Sequence, residues 1–175
     1  MRATFGALAL VLALAGCGSD KTNPLEEVEG CKTLAATGVL ECDNGTNLRD
    51  LDLSDVDLSG ARLVGARLTD ADLTDADLTD ADLSDATLTY ADLIAADLTG
   101  ANLNRAYLAG ADLTGATLRG ATLTGAFLTY ADLTDADLTD VDLTDANLTY
   151  ADLSGADLSG ADLSGANLSG AIGLD

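Results

Sequence analysis

The hydrophobic residues of this chain recur at intervals of five. Leu occupies every fifth position from Leu48 to Leu168, and a small residue, nearly always Ala, stands two positions before each Leu. The other three positions of each unit are mostly Asp, Asn or Thr directly before Leu, then Ser or Thr, then Gly, Asp or Tyr. The small position is filled differently by Thr46, Leu51, Val56 and Val141.

An interval of five does not suit an ordinary helix or strand. Five residues of α-helix turn the chain by about 500°, so the leucines would spread around the helix and form no stripe. On a flat strand an odd step sends successive leucines to opposite faces. All leucines point inward only if the chain bends once per unit. Four bends of about 90° close a square coil, and stacked coils form a solenoid in which each coil packs on its neighbours.

Units such as ADLTD, ADLSG and ANLSG resemble the A(D/N)LXX consensus of the pentapeptide repeat family. The resemblance covers residues 46 to about 172. It implies an all-β solenoid, a right-handed quadrilateral β-helix with Leu and the small residue inside and the other three positions outside. At four units per coil the repeats make about six coils. Leu51 and Val56 are bulkier than the family pattern and fall in the first coil, where a cap would widen the core.

The N-terminal segment has a different composition. Arg2 precedes an unbroken apolar run over residues 7–15, which is too short for a membrane-spanning helix and predicts an export signal over residues 1–16. Residues 14–17, LAGC, resemble the lipobox of bacterial lipoproteins. That resemblance implies cleavage before Cys17 and lipidation of Cys17, and several acyl chains on one residue anchor a protein stably. The alternative interpretation is an ordinary signal peptide followed by a chance Cys.

Two short segments join this signal to the repeats. Residues 17–30 are polar, include the only Pro, and are interpreted as a lipidated tether. The two remaining cysteines, Cys31 and Cys42, are more often bridged than free outside the cytoplasm. We therefore predict a cap over residues 31–45 with a Cys31–Cys42 disulfide, followed by the β-helix over residues 46–175. Metal binding by two thiols without any His is the alternative.

Acidic residues line the outside of the predicted rod. The formal net charge is −22, with 30 acidic and 8 basic residues and no His. Residues twenty apart stack in successive coils, which produces two columns of carboxylates. The first, called the acidic ladder below, is Asp52, Asp72, Asp92, Asp112, Asp132 and Asp152, and the second Asp column is Asp57, Asp77, Asp97, Asp137 and Asp157. The acidic ladder is a candidate site for weak Ca²⁺ binding, although Asp is also the consensus residue there and keeps the rod soluble.

The aromatic residues beyond the signal all fall on one side of the predicted coils. Two columns flank the leucine column that includes Leu108, and together they define the aromatic face: Tyr90, Tyr130 and Tyr150 in one, Tyr107 and Phe127 in the other. A flat aromatic strip is suited to binding a protein, a glycan or a partner rod. The alternative is that stacking between coils stabilises the rod without any partner.

These features predict a non-catalytic protein. No His, activated nucleophile or Gly-rich phosphate loop occurs in the sequence, and no cofactor is expected apart from weak Ca²⁺. We interpret the chain as a bacterial envelope lipoprotein that presents a rigid surface to an envelope protein or glycan. Gly18 follows Cys17. An Asp at this position would resemble an inner-membrane retention signal, so its absence favours the outer membrane, facing the periplasm or the cell surface.

Other interpretations stay open. The rod is alternatively a divalent-cation binder, or a DNA mimic that binds topoisomerase, as the resemblance implies for some family members. The last interpretation requires the cytoplasm, and no nucleic-acid partner is expected. The C-terminal residues AIGLD form no evident cap, so the open edge of the last coil is predicted to pair with a second copy of the chain. Other partners or a self-folding tail are alternatives for this edge.

Overall fold

The computed structural model describes residues 28–33 and 38–174. The predicted signal peptide over residues 1–16, the predicted lipidation site Cys17 and most of the tether lie outside the described residues. No helix in the described part of the chain is long and apolar enough to cross a membrane.

Twenty residues make one coil. The residue directly before each Leu forms a parallel bridge with the residue twenty positions later, as Asp72 does with Asp92 and Asp92 with Asp112. This register continues without interruption from the bridge of Asn47 to the bridge that Ile172 makes with the coil before it. The prediction of an all-β solenoid, a right-handed quadrilateral β-helix, is confirmed. Because the elements are single bridges joined by turns, few conventional strands arise.

Each side of the coil ends in a turn that bends the chain. The N–H three residues after a Leu donates to the carbonyl of that Leu, for example from Ala111 to Leu108 at 3.1 Å. The residue two positions after Leu has a positive φ, 56° at both Asp75 and Asp80. Gly adopts this conformation freely, and Asp tolerates it better than most residues. This requirement explains why Gly and Asp dominate that position of the unit.

The Asp before each Leu secures the same turn from outside. The Oδ1 of Asp112 accepts hydrogen bonds from the backbone N–H of Thr114 at 3.0 Å and from its hydroxyl at 2.6 Å. Asn147 accepts from Thr149 in the same way. Such bonds from a side chain to the backbone two residues later are a known reason for Asp and Asn in turns.

The core is a column of leucines and alanines inside these turns. Every Leu of the repeat from Leu48 to Leu153 is 1% exposed or less. The backbone between neighbouring coils is hydrogen-bonded on both sides of this column: the N–H of Leu93 donates to Asp112, and the N–H of Asp112 donates to Ala91. Each buried Leu contributes about 1.5–3 kcal/mol. Of the two bulky residues predicted to widen the first coil, Val56 is buried and Leu51 is partly buried.

A two-stranded hairpin forms the N-terminal cap. Strand β1 (Cys31–Thr33) pairs antiparallel with strand β2 (Leu40–Cys42), and Cys31 lies opposite Cys42. The two cysteines are joined by a disulfide, with their Cα atoms 4.0 Å apart.

Strand β2 also continues the stacking of the coils. Glu41 bridges Arg62, an offset of 21 residues where the later bridges have 20. Cys42 takes the position of a core Leu, and Leu40 takes that of an Ala; both are buried. The turn over residues 43–45 contains one residue more than the later turns, which accounts for the offset of 21 instead of 20. The cap therefore covers the N-terminal end of the leucine column.

The C-terminal end of the column is open. The last leucines, including Leu163 and Leu168, are only partly buried, and Ile172 is 56% exposed. Within residues 38–174, the N–H groups of Leu158 and Leu163 have no backbone acceptor. Within residues 38–174, the rod thus has one end covered by the cap and one end whose last N–H groups lack a backbone acceptor.

Candidate functional site

The aromatic face is the most irregular part of the outer surface. The rings of Tyr107 and Phe127 stack with centroids 4.9 Å apart and planes 6° from parallel. Tyr130 and Tyr150 stack in the same way at 5.1 Å and 11°. Tyr90 lies in the Tyr130 column, two coils earlier. All five side chains are exposed, from 40% for Phe127 to 68% for Tyr90.

Three of these aromatic residues stand where the backbone favours Gly or Asp. Tyr90, Tyr130 and Tyr150 occupy the turn position with positive φ, at 57°, 60° and 59°. A bulky residue held in this region costs on the order of 1–3 kcal/mol, and such residues cluster at functional sites. Stacking of Tyr130 on Tyr150 stabilises the fold by about 0.5–1.5 kcal/mol, which offsets part of this cost. Tyr90 makes no ring contact with any described aromatic residue, so its placement has no comparable compensation.

The other two aromatic residues replace the Asp that secures a turn. Tyr107 and Phe127 stand directly before a Leu, where they cannot accept the hydrogen bond that Asp112 accepts. The turn N–H groups of Ala109 and Thr129 accordingly have no side-chain acceptor among the described residues. Both aromatic columns therefore replace residues that support the turns.

Gly110 makes room for the ring of Tyr90. A Cβ on Gly110 would lie 2.5 Å from Cε1 of Tyr90, closer than carbon atoms approach. A Cβ on Gly170 would likewise overlap the ring of Tyr150. Each of these tyrosines leans toward the coil that follows it. Sequence reasoning missed this relation, although a Gly twenty residues after an unusual Tyr is a signal for it.

The acidic ladder borders the aromatic face. In three copies of TYADL, at residues 89–93, 129–133 and 149–153, the Tyr is followed two residues later by a ladder Asp. The ladder residues bridge one another in sequence, for example Asp132 with Asp152. Hydrogen bonds from the hydroxyl and N–H of Ser154 hold the pKa of Asp152 below its usual range. Asp152 is therefore ionised at neutral pH.

No described residues form a group of three or more His, Cys, Asp or Glu side chains arranged to hold a metal ion. Ladder carboxylates are occupied with their own turns, as the bonds from Thr114 to Asp112 show. Ca²⁺ binding by the ladder stays a prediction, and a rise in melting temperature with Ca²⁺ beyond that with matched ionic strength is its signature.

The ion pairs of the rod lie outside the ladder. Arg105 binds Asp85 with two hydrogen bonds, Nε to Oδ1 at 2.9 Å and Nη2 to Oδ2 at 2.7 Å. In the second Asp column, the hydroxyl of Thr139 and then the guanidinium of Arg119 lower the pKa of Asp137 to about 2. None of the ion pairs of the described residues includes a ladder carboxylate.

Comparison with known proteins identifies the repeats. The model of the family described as pentapeptide repeats matches in eight copies, over residues 44–70, 66–105, 101–140 and 136–172. A trypsin-treated variant of QnrB1, a plasmid-mediated fluoroquinolone resistance protein, is 26% identical over 75% of this chain and 72% of that chain, with a TM-score of 0.65. HetL, a pentapeptide repeat protein involved in heterocyst differentiation regulation in the cyanobacterium Nostoc sp. strain PCC 7120, is 35% identical over 75% of this chain and 71% of its own, with a TM-score of 0.46. A search of curated proteins returned no match.

The contact between Tyr90 and Gly110 predicts a difference between two glycine substitutions. Gly110 and Gly115 have nearly the same φ, 66° and 65°, but a Cβ on Gly115 meets nothing within 4 Å. Both Gly→Ala changes should cost stability through the backbone, and Gly110→Ala should cost about 1 kcal/mol more because the ring of Tyr90 must move. Urea denaturation measures the free energy of unfolding of each variant.

Removing the ring provides the control. Adding Tyr90→Ser to Gly110→Ala should abolish the excess cost, since the two changes share one contact. Equal losses for Gly110→Ala and Gly115→Ala would show that Tyr90 does not pack on Gly110.

Proposed function

This chain belongs to the pentapeptide repeat family. We propose that it is a non-catalytic lipoprotein of the bacterial cell envelope, and that its rigid rod presents the aromatic face to a protein or glycan. The observation that carries the proposal is Tyr90, which is 68% exposed, held at a positive φ and without an aromatic partner among the described residues. A side chain that is costly to place and packs on Gly110 without a stacking partner among the described residues is best explained by an external contact.

The shape of the aromatic face supports binding. The backbone that carries these side chains is hydrogen-bonded to the neighbouring coils, so little backbone entropy is lost when a partner binds. Stacking within the rod explains part of the face, namely the pairs Tyr107 with Phe127 and Tyr130 with Tyr150. Exposed aromatic surface of this kind marks interaction sites in proteins.

The envelope location rests on the sequence before the rod. The lipobox-like residues 14–17 and the polar tether would place the cap close to a membrane and the open end away from it. The cap carries a disulfide, which is typical of proteins outside the cytoplasm. The proposal assigns no catalytic role to the carboxylates, because those of the ladder accept hydrogen bonds from their own turns.

A second candidate is an acidic DNA mimic that binds topoisomerase, as the family resemblance implies. The continuous acidic ladder favours it, as does the similarity to QnrB1, a fluoroquinolone resistance protein. This function requires a cytoplasmic protein, so the location of the chain decides between the two candidates.

Lipidation at Cys17 can be tested by metabolic labelling. Cells expressing the chain should incorporate a radioactive fatty acid into it, and Cys17→Ser should abolish the label because the acylated sulfur is gone. The matched control is the double variant Cys31→Ser, Cys42→Ser, which should keep the label. Label retained in Cys17→Ser would rule out lipidation at Cys17, and an unlabelled chain found only in the cytoplasm would rule out the lipoprotein and favour the DNA mimic.

The aromatic face can be tested by cross-linking in isolated envelopes. The wild-type chain should capture a partner that the variant with Ser at positions 90, 107, 130 and 150 does not capture. A control variant with Ala in place of Thr79, Thr99, Thr117 and Thr139 changes the opposite side of the rod and should capture the partner as the wild type does.

Circular dichroism separates loss of contact from loss of folding. If the four-Tyr variant fails to fold, the single change Tyr90→Ser replaces it, since Tyr90 stacks on no other ring among the described residues. Undiminished capture by a folded Tyr variant would show that the partner binds elsewhere.

We also propose that two copies pair through the C-terminal coil. At the last described coil, the N–H groups of Leu158 and Leu163, which have no backbone acceptor within residues 38–174, and the exposed side chain of Ile172 form an edge that a second copy satisfies. Sedimentation of the purified chain should show a concentration-dependent dimer, and Ile172→Asp should weaken it at least tenfold while Tyr90→Ser leaves it unchanged. A chain that stays monomeric at every concentration would exclude this pairing.

A further inference from the structure

The aromatic face and the acidic ladder form one continuous surface. Each TYADL copy places an exposed Tyr at a corner of the coil and an Asp on the adjoining side, two residues later. We call the tyrosine–aspartate strip the set formed by Tyr90, Tyr130 and Tyr150 with Asp92, Asp112, Asp132 and Asp152. A partner that lies on the tyrosines also meets these carboxylates.

The charge of the strip is not compensated within the rod. No ion pair of the described residues includes Asp92, Asp112, Asp132 or Asp152. Arg105, at the other border of the aromatic face, is already bound to Asp85. Arg67, the nearest basic residue in the Tyr107 column, lies a full coil before Tyr90. The strip therefore presents aromatic rings beside free negative charge, and both attract cationic groups.

Charge decides between classes of partner. A nucleic acid, an anionic lipid surface and a second copy of this chain, with its formal charge of −22, would all be repelled by the strip. A basic protein segment is attracted to it. The spacing of the strip then indicates which conformation of that segment fits.

The ladder matches the repeat of an α-helix. Carboxylates in successive coils lie at about 4.8, 9.6 and 14.4 Å from the first, the spacing of neighbouring strands. Residues i, i+3, i+7 and i+10 of a helix lie on one face and rise by about 4.5, 10.5 and 15 Å. In an extended strand, residues on the same side are about 6.8 Å apart. This spacing already differs from the carboxylate spacing of about 4.8 Å at the first pair of residues.

On the basis of the proposed function, we propose that the partner lays a basic α-helix along the tyrosine–aspartate strip. Lys or Arg side chains at i, i+3, i+7 and i+10 face Asp92, Asp112, Asp132 and Asp152. The neighbouring apolar positions of the helix rest on the tyrosines. This assigns to the partner a helix with one basic stripe and an adjoining apolar stripe.

Tyrosine fluorescence tests the proposal directly. The chain has four Tyr and no Trp, and all four Tyr lie on the aromatic face, so its intrinsic fluorescence reports on this surface. The probe is a helical 14-residue peptide of Lys, Leu and Ala with Lys at positions 1, 4, 8 and 11. It should change the fluorescence of the detergent-solubilised full chain saturably, and bind at least tenfold more tightly than a helical peptide of the same composition with scattered Lys.

Two charge-matched variants identify the contact. Asn at positions 92, 112, 132 and 152 should weaken binding at least tenfold, while Asn still accepts the turn hydrogen bonds as Asn147 does. Asn at positions 57, 77, 97 and 157 removes the same charge from the second Asp column and should leave binding within twofold. Equal weakening by the two variants, or equal binding of the two peptides, would overturn the proposal because overall charge would then suffice.

The envelope experiment separates this inference from the function on which it rests. If the envelope partner depends on the tyrosines but is still captured by the variant with Asn at positions 92, 112, 132 and 152, the aromatic contact holds and the basic helix is excluded. Loss of capture in both the Tyr and the ladder variants supports the strip as a whole.

Discussion

The structure depends on a backbone turn that recurs every fifth residue. Its hydrogen bond, from the N–H three residues after a Leu back to that Leu, bends the chain so that each following Leu again points inward. Two further features stabilise the same bend. One residue of the turn adopts a positive φ, and the carboxylate of the Asp before Leu accepts a hydrogen bond from a backbone N–H of the turn. Because every bend is equivalent, the backbone groups of one coil meet those of the next, and a continuous leucine column forms without a conventional strand or helix.

This arrangement leaves little freedom on the outer surface. The side chain of the residue before Leu accepts hydrogen bonds from the N–H and hydroxyl of the residue after Leu. The residue that follows these must tolerate a positive φ. A residue that departs from Asp, Thr or Gly therefore gives up a structural contribution. The aromatic face departs at both of the constrained positions, with Tyr107 and Phe127 before Leu and Tyr90, Tyr130 and Tyr150 at the positive φ. All five aromatic departures lie on one side of the rod, which is the physical reason to propose a function there.

Much of this could be predicted from sequence because the period is strict. The leucine interval predicts the bends, and the bends predict which residues stack, so the sequence alone predicts that Tyr107 and Phe127 are neighbours. Other features have no period to reveal them. The extra residue in the turn over residues 43–45 follows from how β2 joins the first coil, and the lean of Tyr90 over Gly110 follows from a side-chain rotamer. Arg119 forms a salt bridge with Asp137, 18 residues later. Because residues of one column are 20 apart, this salt bridge joins two different columns, and the period does not predict it.

The twenty-residue coil restricts how the length of this rod can change. Duplication of a whole coil would lengthen the rod and leave each outer column aligned with the cap. Duplication of a single unit would preserve every inward leucine, and so the fold, but would rotate everything beyond it by a quarter turn. An insertion of five residues near position 120 would split the tyrosine–aspartate strip between two sides of the rod without disturbing the core. Length variants of such a chain should therefore be sorted by whether the inserted number of units is divisible by four.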